Sequence, residues 1–290
     1  MILQTIINGL LIGGIYGLAT IGFSMVWGVM GIINLAHGAY IMLGAYVAYV
    51  VSARFGIEPF LVVPLAMAAL FVLGYVIQAW MLNRVLKTSL LLSLALTFGI
   101  NLILVDLTVM EFTSDFRAVT TQYASTALEW GEAFVPVARL GACLFALALA
   151  WIFHEFLART RSGQAILAAA LDREVSRLMG INPSRVYAMT AGLGAALAGA
   201  AGVLSSMIFP VSPHMGNNFL GAVFVITVLG GIGSLGGAIL AGFVYGLIQA
   251  FASAWLGVNY QEVVAFTVFL LILIFRPQGL LGKKYFGEGQ

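Results

Sequence analysis

Charge is what this chain has least of. Only 8% of its 290 residues are Asp, Glu, Lys or Arg, and none falls between Met1 and Ala53 or between Val186 and Gln261. A water-soluble domain is excluded, because charged side chains cover most of a wet surface. The one cysteine, Cys143, stands inside an apolar run, so a disulfide and a Cys-based metal site are excluded and Cys143 reads as packing. No G-x-x-x-x-G-K-[ST] loop occurs, so the chain carries no ATP-hydrolysing site of its own. A net charge of +2 leaves no basic footprint for nucleic acid. Arg54 is the first charge, so the first apolar segment lacks the basic region of a cleaved leader and reads as a permanent span.

What is present is apolar length. Hydrophobic residues make up 62% of the chain and the mean hydropathy is +1.06. At about 20 apolar residues per crossing, the chain accommodates roughly nine helices in one transmembrane domain, 1–290, with no room for a soluble catalytic domain. The runs fall at 4–30, 32–53, 59–83, 88–110, 134–158, 186–208, 217–233, 237–256 and 262–275. Runs of this length satisfy their own backbone only as helices, and strands of a barrel would be about half as long and alternating. The fold class is therefore all-α and polytopic, with eight spans if one run is re-entrant.

Basic residues orient such a chain. If the gaps alternate sides, Arg84, Lys87, Arg159, Arg161, Arg173, Arg177, Arg185, Arg276, Lys283 and Lys284 share one side, and only Arg54, Arg117 and Arg139 the other. The richer side is the cytoplasm, which puts the C-terminus inside and, with nine spans, the N-terminus outside. Glu58, Glu111, Asp115, Glu129 and Glu132 collect on the outer side. The longest cytoplasmic gap, 159–185, holds one short amphipathic helix: Ala165, Ala168, Ala169, Leu171, Val175, Leu178 and Met179 recur near helical spacing. Gly180 stops it and Pro183 bars its continuation. It reads either as an interfacial helix or as a docking element for a cytoplasmic partner.

The chain contains 34 glycines. Gly9, Gly13 and Gly17, like Gly242 and Gly246, lie at four-residue spacing, which lets membrane helices approach closely. Two clusters read as tight turns or helix breaks: Gly28, Gly31 and Asn34 before Ala36-His37-Gly38, and Gly230, Gly231, Gly233 and Ser234 before Gly236-Gly237. Both follow an apolar span and precede another, an order that would suit a parallel internal repeat. The GIGSLG run at 231–236 matches a dinucleotide fingerprint on paper but joins two membrane helices, not a strand and a helix.

Polar residues inside spans are where a solute path is sought. Asn8, Tyr16, Ser24, Asn34, His37, Asn101 and Thr227 form the candidate path, with Thr20, Thr97, Asp106 and Gln249 as further polar positions. Gly31, Gly38, Gly230, Gly231 and Gly233 are the candidate gating breaks. No cluster of intramembrane carboxylates or arginines marks a proton relay or voltage sensor, which suits a small net-neutral solute moved by force applied outside the bilayer. His154 and His214 form no recognisable pair with a serine, so no catalytic residue is assigned, and no metal ligand either.

In order and spacing these landmarks resemble the permease subunits of bacterial ABC importers for branched-chain amino acids, in particular the member of the permease pair with the shorter N-terminus. The resemblance rests on Asn8-Gly9, Gly13, Tyr16, Gly22 and Gly28, on Asn34-Leu35-Ala36-His37-Gly38, and on Gly44-Ala45-Tyr46. It continues through Gly180-Ile181-Asn182 with Arg185, Val228 to Ser234, Gly237-Ala238, Gly242, Tyr260, Arg276-Pro277 and Gly279 to Gly282. It implies a paralogous second permease, two cytoplasmic ATPases that bind the ATP and Mg, and an external solute-binding protein, with membrane lipid around the spans. It implies that 159–185 couples to an ATPase through Asp172, Arg173, Glu174, Arg177, Gly180 and Asn182. It implies residence in the bacterial inner membrane and, as first expectation, a branched-chain or other small apolar amino acid as cargo. The resemblance also implies, as the alternative cargo within the same family, urea, amides or aromatic and carboxylic acids, because Ala39 and Gly236 depart from its common pattern beside the path. A stand-alone channel is the alternative of a different class.

Overall fold

The computed structural model describes residues 2–85, 90–123, 126–130 and 133–275. Lys87, Glu132, Lys283, Lys284 and the Arg276–Gly282 match lie outside them. The helices are α1 (Ile2–Met30), α2 (His37–Phe55), α3 (Pro59–Ile77), α4 (Asn83–Val85), α5 (Leu90–Phe112), α6 (Val137–Arg159), α7 (Arg161–Leu171) and α8 (Arg173–Leu178). They continue as α9 (Pro183–Ser206), α10 (Met215–Gly230), α11 (Leu235–Leu256) and α12 (Gln261–Phe275). A π-helical turn, Gln78–Leu82, joins α3 to α4 in one rod spanning 59–85. Eight helical segments among the described residues are long and apolar enough to cross a membrane, and α10 is a ninth, shorter apolar helix. Its 16 residues reach only about 24 Å against a hydrocarbon core of about 30 Å.

A short antiparallel pair, β1 (Ala127–Trp130) and β2 (Ala133–Pro136), precedes α6. The Gln4 side chain bonds to it as another strand would: its Nε2 donates to Phe134 O and its Oε1 accepts from Phe134 N, both at 2.8 Å. At the same end of the molecule Arg117 and Val211 exchange backbone hydrogen bonds of 2.9 and 2.7 Å. The opposite end carries α7, α8 and the bond from Asn83 Nδ2 to Ser184 O.

The predicted glycine stripes face each other. α1 and α11 run antiparallel with Gly9 against Gly246 and Leu247, Gly13 against Gly242, and Gly17 against Ile239. Small residues permit this approach, and dispersion across the closed gap holds it, since lipid supplies no hydrophobic drive between helices. α3 and α9 make the matching antiparallel pair, Gly74 against Ala191 and Ala195, and Gly199 against Ala66 and Leu70.

Gly22 and Gly194 each meet the other's carbonyl oxygen where α1 crosses α9, and Gly38 and Gly216 do the same where the first turns of α2 and α10 touch. Reciprocal contact of this kind is what a two-fold relation produces. Helices α1–α2–α3 and α9–α10–α11 are thus an inverted repeat. A parallel repeat of the two glycine clusters, which their shared order left open, gives way to this inverted arrangement. Shared cluster order in the sequence carried no direction; the antiparallel packing supplies it.

The single amphipathic helix expected in 159–185 is also corrected. Asp172 adopts φ −154° and ψ 114°, which separates α7 from α8, and its carboxylate caps α8 by accepting from Glu174 N (2.8 Å) and Val175 N (3.0 Å). Asp competes for backbone N–H groups in this way and so favours caps over helix interiors.

Candidate functional site

Three places gather the residues singled out in the sequence. The first is a junction deep in the membrane. The His37 ring Nε2 lies 2.9 Å from Ala19 O, and a carbonyl can only accept, so Nε2 carries the proton. Ala19 precedes the end of α1 by eleven residues, about 16 Å along the axis. Residues 31–36 therefore turn back along α1, and α2 begins inside the bilayer. Gly31, at φ +69°, makes that reversal. Asn34 holds the return: its Oδ1 accepts from Ala36 N (3.1 Å) and its backbone O from His37 N (3.2 Å).

On the other side, residues 207–214 bring the chain back inward, so that Gly216 meets Gly38 and the Phe219 ring lies 5.4 Å from Tyr16. Two helix N-termini thus start within the membrane and face one another. Non-helical backbone at this depth is tolerated only against protein or a water-lined space. Below the junction Trp27 stacks on Phe224 at 5.6 Å, and Ser24 Oγ accepts from Gly233 N at 2.9 Å. Gly231 and Gly233, at φ +92° and +78°, shape the turn into α11, and Gly230 lies in backbone contact with Gly237.

The second place is a cavity of about 260 Å³ at the end that carries Gln4 and Arg117. Asn8, Tyr16, Arg139, Gln249, Ser253 and Gln261 give it polar lining, and Ile12, Phe209 and Ala250 apolar lining. Tyr16 packs edge-on against Tyr245 at 5.4 Å, and Gln249 Nε2 donates to the Tyr245 hydroxyl at 3.2 Å. Arg139 Nη1 reaches Asn8 Oδ1 at 3.5 Å, and Gln4 Nε2 reaches the same oxygen at 3.4 Å.

Of the seven candidate path residues, Asn8 and Tyr16 line this cavity, and Ser24, Asn34 and His37 build the junction and the turn beneath it. Asn101 is buried on α5 and Thr227 on α10, where its hydroxyl donates to Val223 O at 2.8 Å. Arg139, Ser253 and Gln261 were not among the candidates. In the sequence Arg139 reads only as an outer-side charge, and its place in the cavity follows from α6 lying against α1.

The third place is the α7–α8 pair. Thr160 Oγ1 caps α7 by accepting from Gly163 N at 3.0 Å. Asp172 caps α8, Gly180 at φ +83° ends it, and Asn182 Oδ1 caps α9 through Ser184 N (3.1 Å) and Arg185 N (3.4 Å). Arg173 lies over the Tyr187 ring, 5.3 Å from its centroid. Glu174 and Arg177 are exposed, and so are Leu171, Leu178 and Met179, at 86%, 86% and 78%. These apolar side chains make no covering contact within the chain. No group of three or more His, Cys, Asp or Glu among the described residues could hold a metal ion.

A family model described as "Branched-chain amino acid transport system / permease component" matches residues 5–273. The chain is 34% identical over 297 residues to the high-affinity branched-chain amino acid transport system permease protein BraD of Pseudomonas aeruginosa, covering 97% of this chain and 96% of that one. It is 33% identical over 294 residues to the permease protein LivH of the same kind of system in Escherichia coli K12, with the same coverage. To the permease protein LivM of E. coli K12 it is 26% identical over 297 residues, 92% of this chain and 68% of the relative. No solved structure matches the chain.

Proposed function

The chain belongs to the branched-chain amino acid permease family, and we propose that it forms one half of the path by which an ATP-binding cassette importer carries branched-chain amino acids into the cell. The observation that carries this reading is the near end-to-end match to BraD and LivH, whose names give that cargo. It is a multi-pass membrane transport component, and no enzymatic site is needed of it.

The other half of the path is a paralogous permease. E. coli holds relatives of two kinds, LivH and LivM, and this chain is similar to both, more so to LivH. Two cytoplasmic ATPases bind ATP and Mg and press on α7–α8, where exposed Leu171, Leu178 and Met179 enter an apolar groove and Glu174 and Arg177 meet its rim. Asp172, Gly180 and Asn182 serve that contact by ending and starting helices at set positions, and Arg173 by bracing α8 on Tyr187. An extracytoplasmic solute-binding protein delivers cargo to the end bearing the cavity. The positive-inside bias supports a reading with α7–α8 and the C-terminus in the cytoplasm and the N-terminus outside, in a bacterial inner membrane as the family reading has it.

Transport then alternates at the α2–α10 junction. The approaches 31–36 and 207–214 are non-helical, so the N-terminal ends of α2 and α10 can shift about Gly38 and Gly216 without breaking helix hydrogen bonds. Reconstitution tests the reading. With both permeases, the ATPases and the binding protein, liposomes should accumulate leucine only with ATP. This chain alone should be inert; flux through it without ATPases would make it a stand-alone channel.

A further inference from the structure

Arg139 sits where a purely structural cation is poorly placed. It stands in the first turn of α6, three residues after the Pro136 N-cap, where unpaired N–H groups already concentrate positive charge. Among the described residues no carboxylate lies within 4.0 Å of it, and its hydrogen bond is the long one to Asn8 Oδ1. It nonetheless lines the cavity, half-buried, at the membrane's outer end. Arg139 is the one charged side chain in the lining of this partly apolar cavity among the described residues, and no counter-charge pairs with it there. That arrangement favours an anion.

The cavity's size and lining narrow the class of anion. A volume of about 260 Å³ corresponds to roughly nine water volumes, room for a solute of an amino acid's size. Ile12, Phe209 and Ala250 offer an apolar wall, and Gln249 and Ser253 offer polar groups beside it. Inorganic anions have no use for that wall.

We propose that Arg139 binds the carboxylate of the transported solute in this cavity, selecting small carboxylates with a short apolar tail. The guanidinium fork matches a carboxylate in two parallel hydrogen bonds, which lysine cannot reproduce. The proposal rests on the transport reading above and adds the group that holds the solute's charge. A lipid headgroup phosphate could present the same anionic chemistry, and the experiment separates the two sources.

The assembled importer is placed in nanodiscs with Cys143→Ser and a reporter Ala254→Cys in the cavity lining, and a water-soluble thiol reagent modifies the reporter. Saturating L-leucine should slow modification at least threefold, and leucinol, with an alcohol in place of the carboxylate, should not. Arg139→Gln should remove the protection and Arg139→Lys retain part of it. Protection that persists in Arg139→Gln, or is equal for leucinol, overturns the proposal. So does modification that responds to phosphatidylglycerol content and not to leucine, which would assign Arg139 to a headgroup. ATP-driven leucine uptake distinguishes the two readings. Arg139→Gln should lower it at least tenfold; unchanged uptake overturns the proposal alone, and no uptake by the parent assembly overturns the transport reading.

Discussion

Ser24 and Gly233, 209 residues apart in the chain, are joined by a hydrogen bond of 2.9 Å from the Gly233 N–H to the Ser24 hydroxyl oxygen. The bond ties α1 to the turn between α10 and α11, and Gly28 lies against the same glycine. Ser24→Ala removes that bond while leaving the exposed N–H to water, at a cost of about 0.5–1.5 kcal/mol. The melting temperature of the purified assembly should fall by several degrees, at roughly 2–4 °C per kcal/mol for larger domains. An unchanged melting temperature would show that the turn holds itself.

Gly38 and Gly216 leave no room for a methyl group, because a Cβ on either would collide with the other's carbonyl. Gly38→Ala and Gly216→Ala should each lower uptake more than tenfold while the amount of inserted protein stays constant. Gly99 has nothing within 4 Å, so Gly99→Ala should be neutral or stabilising by up to about 1 kcal/mol. Equal loss of expression in all three variants would mean that the junction only holds the fold.

The exposed apolar tip of α8 yields a binding prediction. Leu178→Asp, or deletion of 172–179, should abolish co-purification of the ATPases and reduce uptake more than tenfold, with membrane insertion intact. Gly180→Arg places a side chain at φ +83°, costing about 1–2 kcal/mol locally, and should act in the same direction. Uptake that survives the deletion favours a channel.

Arg117 braces the end of the molecule that carries the cavity. Its Nη1 donates to the Tyr49 hydroxyl at 2.8 Å and its Nη2 to Phe112 O at 2.7 Å. Arg117→Gln should destabilise the assembly by about 1.5–3 kcal/mol. The double variant with Tyr49→Phe should fall short of additivity by about 0.5 kcal/mol or more, measured by thermal or denaturant unfolding. Additive effects would show that the two side chains do not share this interaction.

Some of the site was legible in the sequence because its chemistry is local. Gly31, Gly180 and Gly231 stop helices through their own backbone, and Asn182 and Pro183 start one. Asn8 and Tyr16 were visible as polar groups in an apolar run. Arg139 was not, since its relation to Asn8 depends on α6 lying against α1, 131 residues away. The break at Asp172 was hidden for another reason: the apolar period continues through it, and only the cap geometry shows that the carboxylate took the N–H groups of a new helix.

Hydropathy by itself determined that the chain crosses a membrane as helices, because a backbone in hydrocarbon can pair only with itself. It determined the number of apolar runs and the stripes on which they pack. Where α2 and α10 begin relative to the bilayer was decided by the tertiary structure alone. An apolar segment reads the same whether it starts at the surface or at the depth of Ala19, and only the contact of His37 with Ala19 and of Gly38 with Gly216 distinguishes the two.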